Sequence, residues 1–320
     1  MEKTHQQNIF FLKTLFEEQA FDWIDYDKLI SFDFFKSGGG THLYLIQNAN
    51  QKYVARINYY EQKNEWGVKK QEFDVLKLIE PLEISPKVYY FNDKNSIKQD
   101  FTIAEYIEGE TLGDITEKHI LDLASDLRKL HTAFVFDRAG DTLPPQDELP
   151  YHCDIYNEFA NGEDKKIEKY LSLEGIDNIV EPYNRINKKL GDWFNNLDIF
   201  NGIITFSLCH ADLKKENILV TNSGIMLIDW ECAGSDIPET DIGRLFSGCE
   251  FTEEQQNIFL NSYYGSQPNT LVQERILAVK KVLDFFHILE DYIIMKRKDW
   301  NPDNMFMELS EYERQMDSWT

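Results

Sequence analysis

The sequence predicts an α+β chain of two lobes, a small antiparallel-sheet N-lobe over residues 1–106 and a mostly helical C-lobe over 107–320. Three observations carry that expectation. Strand-like runs cluster before residue 106, with the break Gly38-Gly39-Gly40 between the first two. Beyond that point apolar residues recur at three- and four-residue spacing, the period of helices packed on a core. With 320 residues, 42% hydrophobic and 14% aromatic, the chain can fill two lobes around a cleft.

Taken in order, an amphipathic helix is expected over residues 9–20, with Phe10, Leu12, Leu15 and Phe16 as its apolar set. Residues 30–35 read as a strand, the glycines as a turn and 43–46 as the returning strand of a hairpin. Asn48-Ala49-Asn50-Gln51 turns the chain into a third strand at 52–57. A helix comes next over 67–82 on Val68, Phe73, Val75, Leu76 and Ile79, then strands at 87–91 and 101–106. The run Glu105-Tyr106-Ile107-Glu108-Gly109 is the expected hinge. Residues 120–131 make a strong helix on Leu121, Leu123, Ala124, Leu127 and Leu130. Residues 141–154 hold Pro144, Pro145 and Pro150 and read as a loop or lid. Further helices are expected near 167–171, 180–195, 253–264 and 272–296, and no internal repeat is visible.

Composition removes several classes of function. Lys plus Arg is 33 against 56 Asp plus Glu, a net charge of −23. That field repels nucleic acid and anionic membranes. It would attract a cationic substrate, with plain solubility as the alternative. The N-terminus has no basic region followed by an apolar stretch, so no signal peptide is expected. No apolar run approaches the roughly 18–20 residues that span a bilayer. The four cysteines (Cys153, Cys209, Cys232, Cys249) show neither C-x-x-C nor zinc spacing, which fits reduced thiols in a cytoplasmic protein. Monomer and homodimer are equally compatible with the chain.

The chemistry concentrates in one segment. Cys209 to Ile218 reads H-x-D-x-x-x-x-N, and after a short strand pair comes Ile228-Asp229-Trp230-Glu231. This is the layout of a kinase catalytic loop and its metal-binding aspartate. Phosphoryl transfer needs one carboxylate near the acceptor hydroxyl and oxygen ligands for Mg²⁺ that neutralise the triphosphate. Asp212 supplies the first, and Asn217 and Asp229 supply hard oxygen donors of the kind Mg²⁺ prefers. His210 is expected to brace the loop through hydrogen bonds. Lys214 or Lys215 could touch the γ-phosphate or face solvent. Glu231 could meet metal, a nearby water, a cationic substrate or only solvent.

The remaining candidates lie around the nucleotide. In the Gly38-Gly39-Gly40 turn, absent side chains let backbone amides approach phosphate oxygens, with Ser37 and Thr41 adding hydroxyls. Arg56, in Val54-Ala55-Arg56-Ile57, offers a guanidinium fork to the α/β-phosphates, and Glu72 is its expected partner. Residues 104–107, Glu105 and Ile107 among them, should face the adenine through backbone groups. Asp241, in Asp241-Ile242-Gly243-Arg244, either holds the catalytic loop by its backbone or caps the next helix.

With these residues in place, the chain resembles the aminoglycoside phosphotransferase and choline kinase superfamily, small-molecule kinases with a protein-kinase-like fold. The resemblance runs from the glycine turn to about Phe246. Gly109-Glu110-Thr111-Leu112 is similar to that superfamily's element after the hinge, and Leu127-Arg128-Lys129-Leu130-His131 to its L-x-x-L-H helix. The resemblance implies ATP and Mg²⁺ as cofactors and a hydroxyl of a small, cationic acceptor as target. It implies Asp212 as catalytic base, with His210 and Lys214 beside it in the loop, Asn217 and Asp229 as magnesium ligands, and Arg56 as the nucleotide-phosphate contact. The Ile228–Glu231 form with Arg56 is closer to bacterial choline, ethanolamine and thiamine kinase-like members. Thr41-His42 departs from the T-N pair of many choline kinases. The missing D-F-G triplet and activation segment argue against a protein kinase. A non-catalytic nucleotide-binding pseudokinase is the alternative. For the acceptor, an aromatic cage could come from Tyr263, Tyr264, Phe285, Phe286, Tyr292 and Trp300. A carboxylate pocket could come from Glu231, Asp236, Glu239, Glu290 and Asp291.

Overall fold

The structure is a computed structural model that describes residues 2–18, 21–28, 30–38, 41–49, 51–58, 68–92, 101–137, 177–200, 205–293 and 302–319. The expected loop at 141–154 and helix at 167–171 lie outside these residues. The chain is α+β and separates into two units. Met1–Asp114 joins Glu216–Ala233 in the first, and Ile115–Lys215 joins Gly234–Thr320 in the second.

The first unit is built on a five-stranded antiparallel sheet of order β1-β2-β3-β5-β4. Its strands are β1 (Ile30–Gly38), β2 (Thr41–Asn48), β3 (Gln51–Asn58), β4 (Val88–Asn92) and β5 (Phe101–Glu105). Gly38 pairs with Thr41 at the closed end of the first hairpin, as the glycine turn leads one to expect. Side chains alternate as a pleat requires. Tyr44 and Ile46 of β2, and Tyr53, Ala55 and Ile57 of β3, all point into one core. Leu12 and Phe16 of α1 (Glu2–Glu18) pack in the same core. This helix begins seven residues before apolar periodicity places it. His5 Nδ1 and Asn8 Nδ2 lie 3.0 and 2.9 Å from the Tyr44 hydroxyl. Polar tertiary contacts thus order a turn that carries no apolar signal.

Helix α2 (Val68–Ile79), ending in a 3-10 turn at Glu80–Leu82, lies between β3 and β4 in the chain. Residues 107–114 and 216–233 come after the expected lobe boundary yet belong to this unit. The reason is strand pairing: β6 (Glu110–Thr111) pairs with β9 (Ile218–Thr221), which pairs with β10 (Gly224–Leu227). Leu227 N–H also donates to Ile84 O at 2.8 Å.

The second unit holds α3 (Glu117–Ala133), β7 (Val135–Asp137), α4 (Asp177–Asn195), β8 (Thr205–Cys209), β11 (Gly234–Asp236), α5 (Pro238–Gly248), α6 (Glu253–Tyr264), α7 (Thr270–Ile293) and α8 (Pro302–Met316). The three strands form a small sheet of order β11-β8-β7. Thr116 and Thr252 start α3 and α6 with capping boxes, in which the threonine hydroxyl accepts from the third helical amide. Gly265, at φ 79°, closes α6 in the left-handed conformation that glycine adopts at no steric cost.

Helix α8 has no counterpart among the sequence expectations. Its buried residues Met305, Leu309, Tyr312 and Met316 do keep helical spacing, but charged residues between them dilute the pattern. They join α4 and α7 in a core where Tyr183 stacks on Phe285 at 5.4 Å. Among the described residues, no helix is long and apolar enough to cross a membrane.

Helices α5 and α7 approach at Gly243. A Cβ built there lies 2.6 Å from Val279 Cβ and 3.0 Å from Ile276 O. Gly243→Ala is therefore expected to destabilise the protein by about 1–3 kcal/mol in urea denaturation. At Gly113 a built Cβ meets nothing within 4 Å. Gly113→Ala should stay within about 0.5 kcal/mol of the parent in the same assay.

Candidate active site

The first unit assembles the candidate nucleotide and metal residues. Arg56, on β3, forms an ion pair with Glu72 of α2, as the sequence predicts. Its Nη2 also donates to Asp229 Oδ1 at 2.7 Å. Glu72 is 1% exposed, and a carboxylate so buried needs a hydrogen-bonded counter-charge. Burial alone favours a neutral guanidine; Glu72, then Asp229, outweigh it and hold Arg56 firmly charged. The Glu231 charge adds to the same effect from a half-buried 3-10 turn.

The hairpin β9–β10 sets Asn217 and Asp229 at its open end, where Ile228 N–H donates to Asn217 O at 2.9 Å. Asp229 adopts φ 68°, a left-handed conformation that is uncommon for a residue with a side chain. The residues after Asp229 hold it there. Trp230 is fully buried and its indole N–H donates to Leu227 O at 2.9 Å. Gln71 of α2 donates to Ala233 O at 2.8 Å. Helix α2 thus steadies both the guanidinium and the segment that carries Asp229.

Around the glycine turn, Thr41 is buried, and the Ser37 hydroxyl lies 2.7 Å from His42 Nδ1. Gly39 and Gly40 lie outside the described residues. In the segment expected as the hinge, Glu105 N–H donates to Lys87 O at 2.7 Å and Tyr106 N–H to Lys52 O at 3.1 Å, while Glu105 and Ile107 are half-buried.

The second unit holds the loop with Asp212. Asp241 is fully buried, and its Oδ2 and Oδ1 accept from the backbone N–H groups of His210 and Ala211 at 2.7 and 2.8 Å. Its Oδ2 also meets His131 Nε2 at 3.1 Å, and His131 Nδ1 lies 2.7 Å from the Tyr263 hydroxyl. Of the two readings of Asp241, loop brace is the one observed. The N-cap of α5 is Ile237, and Asp241 lies inside the helix. Burial acts to raise the Asp241 carboxyl, but the His131 hydrogen bond and the fields of His131 and His210 prevail, followed by the Ala211 amide, so it stays below its ordinary value.

Ala211 sits at φ 63°, and this turn presents Asp212. His210 is fully buried; its Nδ1 accepts from Asp212 N–H at 3.2 Å, the bracing role expected of it. Lys214 pairs with Asp212 at 2.8 Å, and Lys215 pairs with Glu250 at 2.5 Å. His131, Cys209 and Asp241 offer ligand atoms within 4.8 Å of one another. Both Asp241 oxygens already serve the loop amides, so this trio reads as a hydrogen-bond hub. The sequence singled out the L-x-x-L-H helix but gave His131 no task; only packing shows it as the partner of Asp241.

Several acceptor-site candidates take other roles. Tyr263, Phe285 and Phe286 are core residues. Asp236 is buried and accepts from Ile237 N–H at 2.7 Å, and Glu239 is buried 3.5 Å from Arg275. Separately, an open groove of about 480 Å³ lies beside α1, with Lys13, Phe16, Tyr26 and Phe32 in its walls and none of the candidate site residues.

A family model described as "Phosphotransferase enzyme family" matches residues 32–271. The protein LicA of Haemophilus influenzae is 31% identical over 75 residues, 23% of this chain and 22% of LicA. The fold is similar to that of the choline kinase LicA from Streptococcus pneumoniae, with a TM-score of 0.61, 19% identity, and 98% and 99% of the two chains covered. It is also similar to an ADP-bound aminoglycoside phosphotransferase, with a TM-score of 0.60, 17% identity, and 94% and 95% covered.

The brace predicts a pH-dependent stability term. Asp241→Asn, which replaces an acceptor oxygen by a donor in a buried site, should cost about 2–4 kcal/mol at pH 7. The folded carboxyl titrates below its ordinary value near pH 3.8. Its contribution is therefore complete above about pH 4 and is lost as pH falls through the lower folded value. Urea midpoints of parent and variant should differ at pH 7 and converge on acidification.

Proposed function

The chain belongs to the phosphotransferase enzyme family, and from that membership we propose that it is an ATP-dependent small-molecule kinase. In this reading it uses Mg²⁺ and moves the γ-phosphate to a hydroxyl of a small, cationic acceptor. One observation carries the reading most. Asp212 follows a left-handed Ala211 whose amide is held by a buried carboxylate, and such strain persists where the surroundings over-determine a functional geometry.

Asp212 orients the acceptor hydroxyl and takes its proton late in a loose transition state. His210 fixes the backbone of Asp212 through its ring nitrogen. Lys214, 2.8 Å from Asp212, brings a cation to the phosphate being transferred. Arg56 reads the nucleotide phosphates with its fork while Glu72 sets its orientation. Gly38, Gly39, Gly40 and Thr41 cradle the phosphates through backbone and hydroxyl, and the backbone of Glu105 and Ile107 meets the adenine.

Asn217 and Asp229 fit Mg²⁺ by donor chemistry, since an amide oxygen and a carboxylate are hard ligands. When bound there, the ion neutralises charge on the β- and γ-phosphates. Arg56, paired with Asp229 at 2.7 Å, would offer its guanidinium fork to the nucleotide's phosphate oxygens. Glu231 is assigned to the acceptor's cationic part. The net charge of −23 supports a cationic acceptor and argues against nucleic-acid or membrane partners. A cytoplasmic setting, with the chain as monomer or homodimer, completes the proposal.

Asp212→Asn tests it. ADP release in the presence of acceptor should fall by about 10³-fold or more while KM for ATP moves less than about threefold. Turnover that survives the substitution removes Asp212 as base. ATP binding without phosphate transfer to any acceptor favours a non-catalytic nucleotide-binding protein.

A further inference from the structure

The groove beside α1 is built by three neighbouring stretches of the first unit: the second half of α1, the residues between α1 and β1, and β1 itself. Strand β1 stands at the end of the sheet order, an edge that proteins ordinarily cover or blunt. The apolar part of the lining is fixed by the core. Phe16 and Phe32 are 4% and 9% exposed and meet edge to face at 5.2 Å. Half-buried Ile30 continues that wall along β1. Tyr26 is exposed at the rim, where its hydroxyl accepts from Phe21 N–H at 3.1 Å and fixes the ring.

Three exposed charged residues complete the lining: Lys13, Glu17 and Lys28. None of them has an ion-pair partner among the described residues, although Lys13 and Glu17 are one turn apart on α1. In a chain with 56 acidic and 33 basic residues, this lining is the reverse of the average, with two ammonium groups and one carboxylate. A volume of about 480 Å³ lies within the range of small-molecule sites. Apolar walls call for an apolar body, and a net lining charge of one positive unit complements a single negative one. Glu17 counts against a dianion such as a phosphate monoester. The family match begins at residue 32, so of this lining only Phe32 falls inside it.

We propose that the groove binds a free monocarboxylate with an apolar body of roughly eight carbons, held between Lys13 and Lys28 at its charged end and laid on Phe16, Ile30 and Phe32 along its body. The long lysine stems let both ammonium groups reach the carboxylate while their methylenes lie along the apolar chain. A ligand so placed bridges α1 and β1. It also covers the sheet edge that the fold leaves open, and by binding the folded state alone it stabilises the first unit.

The test is a titration of the ¹⁵N-labelled full chain with octanoate, read by amide chemical shifts. Expected is saturable movement confined to residues 13–17 and 26–32, with a Kd below about 1 mM. Butanoate, four methylenes shorter, should bind tenfold or more weaker. Octylamine, with a body of the same length and the opposite charge, should also bind tenfold or more weaker. Lys13→Gln combined with Lys28→Gln should raise the octanoate Kd tenfold or more, and Glu17→Gln should lower it threefold or more. All three side chains are exposed, so the variants keep the parent spectrum outside the groove. A merely apolar cleft would bind octylamine and octanoate alike and would ignore the lysines. The proposal is overturned by that result, by shifts spread over the whole molecule, or by no saturable shift at about 5 mM octanoate. Turnover plays no part in the assay, so its outcome is independent of the kinase reading.

Discussion

A single buried carboxylate determines the geometry of the loop that carries Asp212. Asp241 is sealed from solvent, so its charge is stable only while every lone pair it presents is met. The donors that meet it are two consecutive loop amides and the ring of His131. Moving either amide would strand a charge in the protein interior, at a cost of several kcal/mol. The loop therefore tolerates the left-handed Ala211, and Asp212 emerges from a fixed turn instead of a mobile one. His131 is fixed in turn by Tyr263, so the position of Asp212 is set by packing two helices away from it.

The first unit solves a related problem with a cation. Arg56 serves the buried Glu72 and the half-buried Asp229 together. Lysine at that position could not do this in the same way, because a point charge on a flexible stem lacks the planar fork that addresses two carboxylates in fixed directions. Helix α2 contributes the buried acid and, through Gln71, the tie to Ala233. The left-handed Asp229 thus lies between two anchors, the strand pair before it and the 3-10 turn after it. In the second unit the left-handed Ala211 precedes Asp212, in the first Asp229 is itself left-handed, and each segment is tied by a helix of its own unit, through Asp241 and Gln71 respectively.

Helix α5 gives the second unit its economy of design. Within eleven residues it carries the brace at Asp241, the close approach to α7 at Gly243, the hydroxyl at Ser247 and the loop contact at Gly248. Its residues from Glu239 to Ser247 are all buried. A helix that touches both the loop with Asp212 and the face of α7 couples the positions of the two, because neither glycine contact leaves room to slide.

Local sequence rules were enough to specify the α+β class, the order of the first five strands and the helix between them, and to name a candidate set for phosphoryl transfer. These were legible because they rest on strand alternation, glycine turns, and the fixed spacing of His210, Asp212, Asn217 and Asp229. The Arg56–Glu72 pair and the bracing role open to Asp241 were also readable, as counter-charges expected near that set. Packing in three dimensions settled the rest. It extended α1 to Glu2 through contacts on Tyr44, built α8 from apolar residues spaced among charges, and joined 216–233 to the first unit by strand pairing. It matched His131 with Asp241 across 110 residues, and Ser247 with Asp284 and His287 across 37 and 40. Such pairings arise from which buried polar groups meet when helices pack, and one-dimensional spacing does not encode that meeting.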